Sequence, residues 1–152
     1  MPGVVSMGPG SRGASVAVLV AVGVVCAAAL VSCSRGGRAS PQSISVGNST
    51  VPARQLETAV PGLCRARSQA THDPAAAGIT FYDRAHAQLH LLAPALAQRD
   101  RRLAAALLEA KQKVEADLAV RPPRPELPAD LTRLLGATRA GLARLSLPAP
   151  SC

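Results

Sequence analysis

Aromatic residues are nearly missing: one Phe, one Tyr and no Trp in 152 residues, and the two present, Phe81 and Tyr82, are neighbours. Strands draw on β-branched and aromatic side chains, so a β-sandwich or barrel is a poor fit to this chain. Proteins that grip nucleic acid by stacking its bases need exposed aromatic platforms, which one adjacent pair does not supply. Methionine occurs only as Met1 and Met7, so a thioether-rich copper site has no ligands in the body of the chain. Acidic residues are also few, 9 against 17 Lys+Arg, giving a formal net charge of +8. Neither GxSxG nor a P-loop occurs, so acyl-transfer and nucleotide chemistry lack their usual frames, and a non-enzymatic role is expected. A core without aromatics must come from Leu, Val, Ile and the 30 Ala, which implies closely approaching helices.

What is present begins with an uneven distribution of apolar residues. Arg12 precedes the uncharged run Ala14 to Val31, which ends Leu30-Val31-Ser32-Cys33 before the polar stretch Ser34-Arg35-Gly36-Gly37-Arg38. A weakly basic start, an apolar middle and a small residue at the junction describe a secretory signal peptide. The last four residues resemble the lipobox of bacterial lipoproteins: an aliphatic residue, a tolerated second residue, a small residue and a Cys. The resemblance implies that Cys33 is acylated, carries palmitate-type chains and becomes the first residue of the mature protein. It places the protein outside the cytoplasm, attached to the membrane by buried acyl methylenes. An uncleaved membrane anchor over Ala14 to Val31, or an ordinary signal peptide, are the competing readings.

Four cysteines then sort themselves. Cys26 leaves with the signal and Cys33 takes the lipid. Cys64 and Cys152 remain as an even pair in an oxidising compartment, where one disulfide is the simplest expectation. The expected organisation is a signal peptide over 1–32, a lipidated Cys and flexible tether over 33–57, and a helical domain over 58–152. Ser34 to Val51 shows neither a helical nor a strand period and reads as tether. Nucleic acid is topologically implausible as a partner of an exported chain. The membrane and envelope proteins are the expected ones.

Helical signals fill the remainder. A short helix is predicted over Pro61–Ala70, with Pro61 in the tolerant first turn. Asp73-Pro74 reads as N-cap and first residue of a second helix, which runs to Ala93 before Pro94 kinks or ends it. Its expected stripe is Ile79, Tyr82, His86, Leu89 and Ala93, and Phe81 is expected in the core beside Tyr82. Asp100 caps a third helix to Leu118, with Leu103, Leu107, Ala110, Val114 and Leu118 inward. A fourth begins near Pro128, with Leu131, Leu134, Leu135, Thr138, Leu142 and Leu145 inward. The fold class expected is all-α: a small up-and-down bundle of three long helices and a short one, clamped by one disulfide.

One cluster carries coordination chemistry. Asp83, His86 and His90 share a narrow stripe of the second helix, and imidazoles at i and i+4 can hold one Zn, Cu, Ni or Fe ion. His72, or Glu115 from a facing helix, could complete the ligand set. Ala87 follows His86, so this is not HExxH and no general base accompanies the ligands. The competing reading makes His86 a partly buried imidazole bonded within the protein. Glu109, Glu115 and Asp117, mixed with Lys111 and Lys113, read as solvated helix charges. Fifteen of the 17 cations are Arg, which with the Ala, Gly and Pro load resembles small lipoproteins of high-GC actinobacteria. A cationic domain beside a membrane is drawn to anionic headgroups or wall polymers.

Overall fold

A computed structural model describes residues 42–152. The signal segment 1–32 and Cys33 lie outside the described residues. Among those described, the chain is mostly helical with one small two-stranded sheet, and Cys64 is bonded to Cys152 with the two Cα atoms 5.5 Å apart. No helix of the described residues is long and apolar enough to cross a membrane.

The tether expected up to residue 57 needs correction, because its second half is folded. Strand β1 (Ser43–Val46) pairs antiparallel with β2 (Ser49–Pro52), placing Ile44 opposite Val51 and Val46 opposite Ser49. Gly47-Asn48 is the two-residue turn, with Gly47 at φ 60°. That left-handed conformation matches the twist of a tight hairpin and suits a residue without a Cβ. A two-stranded hairpin is marginal alone, and this one is held by burying Val51 while β1 lies against a later helix. Helix α1 (Ala53–Glu57) follows directly and inserts Leu56 completely into the core.

Helix α2 (Ala59–Ala70) starts two residues before the expected Pro61, which sits where the first-turn amides lack intrahelical partners anyway. Asp73 caps α3 (Pro74–Phe81) by accepting a hydrogen bond from the Ala76 amide at 2.9 Å. The predicted second helix is then interrupted. Tyr82–His86 form a π-helical turn, and α4 (Ala87–Ala97) continues beyond it, passing through Pro94 rather than ending there.

The π turn overturns the predicted stripe. Ile79 and Tyr82 are exposed, by 64% and 47%, while Phe81 is fully buried. The buried positions run Ala77, Phe81, Ala85, Leu89, then Leu92 and Leu96. Three successive steps of four drift around an ideal helix of 3.6 residues per turn. A wider turn absorbs the drift and keeps one face inward. A constant helical period therefore selects the wrong residues before the turn and the right ones, Leu89 and Ala93, after it.

Helix α5 (Arg101–Leu118) is capped as expected: Asp100 Oδ1 accepts from the Leu103 amide at 3.0 Å. Leu107 and Val114 are fully buried, while Leu103, Ala110 and Leu118 are half-buried. Helix α6 (Leu127–Arg144) follows the expected pattern, burying Leu131, Leu134, Leu135, Thr138 and Leu142. It ends in a Schellman arrangement, with Ser146 at φ 61° and the Leu147 amide bonded to the Leu142 carbonyl at 2.9 Å.

Small residues set the helix spacing, as the alanine load implies. Gly62 of α2 faces the backbone of the π turn, where an added Cβ would stand 2.7 Å from the Arg84 carbonyl oxygen. Backbone yields less readily than side chain, so Gly62→Ala is expected to cost about 1–3 kcal/mol by overpacking. Gly136 is exposed in the middle of α6 with no atom near its missing Cβ, and Gly136→Ala is expected to add up to ~1 kcal/mol through helix propensity. Denaturant unfolding of the two variants checks this. Shifts in the same direction would refute the close approach at Gly62.

Candidate metal centre

Three side chains converge at the junction of the π turn, α4 and α5. His86 Nε2 lies 2.7 Å from Glu115 Oε1 and 3.1 Å from His90 Nε2. Ligand atoms of His86, His90 and Glu115 all fall within 4.8 Å of one another. The local sequence explains the meeting. His86 closes the π turn and His90 stands four residues on, in α4, so one imidazole lies above the other with ring centroids 4.4 Å apart. Glu115 reaches them from the outward side of α5, one residue past the buried Val114.

Both histidines expected from the i, i+4 spacing belong to the group, and Glu115 of the facing helix joins them. Asp83 is not part of the group. It sits at the start of the π turn, whose wider winding separates it in angle from His86, and it lines a different groove beside Ile79 and Tyr82. His72 is exposed in the turn before α3 and also stands outside the group.

The surroundings mix assistance with opposition. Phe81 and Tyr82 flank His86, with ring centroids at 5.6 and 5.1 Å, and give it an apolar wall. His90 has its pKa lowered by desolvation first, then by the Lys111 and His86 charges, with Glu115 opposing. The shift favours the neutral imidazole, which is the form that binds metals. Burial works against ionisation of Glu115, but hydrogen bonds from Lys111 and His86 outweigh it and hold the carboxyl below its ordinary pKa. Lys111 was expected among the solvated charges. It is instead 5% exposed, with Nζ 2.8 Å from Glu115 Oε1.

In the network Lys111–Glu115–His86–His90 a single nitrogen, His86 Nε2, faces both Glu115 and His90, and it can either donate a proton or offer its lone pair. A metal bound at His86 Nε2 would have to displace the proton that this nitrogen donates to Glu115, and would have to tolerate the Lys111 ammonium. The donor set, two imidazoles and a carboxylate, is one that Zn and other transition ions accept with an open fourth position. Other predicted surface charges behave as expected: Glu109 is exposed and paired with Lys113 at 2.9 Å, which lowers its pKa. Asp117 is the exception and is buried. Comparison with protein-family models, with curated proteins and with solved structures found no match.

Proposed function

We propose that the protein is an exported bacterial lipoprotein whose helical domain, a small up-and-down bundle, binds a transition-metal ion without catalysing a reaction. The metal reading rests on the convergence of His86, His90 and Glu115, from the π turn, α4 and α5, into one ligand-sized space. The location rests on the lipobox-like Leu30-Val31-Ser32-Cys33 and is supported by a disulfide, which belongs to an oxidising compartment. In this reading the lipid at Cys33 holds the domain at the outer face of the membrane, and the metal site faces solvent through the exposed His90.

The anchor is tested by labelling cells with an alkyne palmitate analogue. The wild-type protein should incorporate it, and Cys33→Ala should not while its precursor accumulates. A processed, unlabelled wild type would reduce the lipobox to an ordinary signal. The metal site is tested by elemental analysis of the purified full-length protein, wild type and His86→Ala. A near-stoichiometric ion in the first, absent from the second, is expected.

A second reading has its own observation. Exposed Ile79 and Tyr82 line a groove of about 350 Å³ between α3 and the end of α5, with Asp83 and Arg121 at its edges. Apolar side chains exposed together mark interaction surfaces, so an envelope-protein contact is the alternative role. Metal-free protein that binds a partner through Tyr82 would favour it.

A further inference from the structure

The seam between α2 and the π turn gathers two cations that no described carboxylate neutralises. Gly62 of α2 lies against Arg84, and the Cβ that it lacks would stand 3.0 Å from Arg84 Cβ, so the Arg84 side chain leaves the π turn at this contact. Arg65 stands three residues beyond Gly62, one turn along the same face of α2. Both arginines are exposed, and they line one hollow of about 400 Å³ together with Thr58, Pro61 and Gly62. No carboxylate lines that hollow, and neither arginine makes an ion pair among the described residues. Arg133 and Arg144 of α6 behave otherwise and take Asp130 and Asp100 as partners. Asp83, the neighbour of Arg84 in sequence, lines the other groove beside Ile79 and Tyr82. The Thr58 hydroxyl donates to the Gln55 carbonyl at 2.7 Å, so the guanidiniums are the polar donors that the lining side chains leave free. Like charges held beside one hollow repel, and an anion between them relieves the repulsion.

We propose that Arg65 and Arg84 form a phosphate site, which takes the group as the free ion or as a phosphodiester headgroup. A guanidinium presents its N–H donors in a flat fork that matches a pair of phosphate oxygens, and it stays charged at any physiological pH. Two forks from opposite sides of a seam can each take a different pair of oxygens on one tetrahedral ion. A carboxylate has a single pair and fills only one fork. The hollow, at about 400 Å³, leaves room for an ester group beside the phosphate. The first turn of α2 holds no acidic side chain, so the positive end of that helix adds to the field. Neither arginine belongs to the His86, His90 and Glu115 group, so the site stands or falls independently of the metal reading.

Arginine side-chain NMR of the full-length protein, titrated with inorganic phosphate at constant ionic strength, tests the site. The Nε–H signals of Arg65 and Arg84 should shift along one saturable curve. That of Arg102, exposed in the first turn of α5, should not. Arg65→Gln and Arg84→Gln should each weaken binding about tenfold or more, the loss expected when a hydrogen-bonded charge is removed. Arg102→Gln deletes the same charge elsewhere and should leave binding unchanged. Arg65→Lys should keep part of the affinity, since an ammonium preserves the charge but not the fork. A second titration with glycerophosphoglycerol, the soluble headgroup of phosphatidylglycerol, separates the two sources. Shifts of both arginines with it assign the site to phosphodiester headgroups; shifts with inorganic phosphate alone assign it to the free ion. The proposal is overturned if neither probe moves the pair, if all exposed arginines shift in parallel, or if Arg102→Gln weakens binding as much as the two seam variants do.

Discussion

Reduction of the Cys64–Cys152 disulfide is expected to lower the unfolding free energy by about 4–5 kcal/mol, the chain-entropy value for a loop of this length. The bond joins residues 88 apart in sequence, from the middle of α2 to the last residue. Within that loop lie α3, the π turn, α4, α5 and α6, so the crosslink restricts nearly the whole helical domain in the unfolded state. For a domain whose total stability is of order 5–15 kcal/mol, that is a large share. The native state adds few other contacts to the tail: Arg139 donates to the Pro150 carbonyl at 3.0 Å, and Leu147 is buried. Urea unfolding with and without reductant, and of Cys64→Ser, should give the same loss. A loss under ~1 kcal/mol would mean that the unfolded chain is already compact around this pair.

Much of the fold can be read locally. Asp73-Pro74 and Asp100 announce helix starts because their carboxylates satisfy first-turn amides, and both caps are present. The leucine stripe of α6 is regular because nothing interrupts its winding. The hairpin was hidden for a different reason. Only Ile44, Val46 and Val51 mark it among polar neighbours, and its strands persist by leaning on helices encoded elsewhere. The π turn was hidden in another way: the steps of four through Ala77, Phe81, Ala85 and Leu89 encode it, but a search at fixed period reads past them toward Ile79 and Tyr82.

The candidate site divides along the same line. His86 and His90 are four apart on one winding, so their meeting is a local property. Glu115 joins them only because α5 packs beside α4, and Asp83 leaves because the π turn rotates it away. The burial of Lys111 and Asp117 has no local signal. Both occupy helix positions that look solvated until α5 packs against α4 and α6.

The second large effect is expected at the candidate metal centre. Three ligands from protein and one open position should hold Zn²⁺ with micromolar affinity, corresponding to ~8 kcal/mol. Removing one imidazole leaves two donors and should weaken binding ~100-fold or more, beyond the 10–100-fold typical of losing an outer partner. His86→Ala and His90→Ala should therefore behave alike, and Glu115→Gln should weaken binding while sparing the fold. Lys111 works in the opposite direction. Its ammonium occupies Glu115 Oε1 and repels a dication, so Lys111→Met should bind the metal more tightly.

Calorimetric titration of Zn²⁺, with Cu²⁺ and Ni²⁺ alongside, into the full-length protein and these variants addresses the central claim. One ion per chain at micromolar affinity, abolished in both histidine variants and strengthened in Lys111→Met, is the predicted result. No heat from the wild type, or binding that survives loss of His86 and of His90, would contradict it and leave the network as an internal hydrogen-bond cluster.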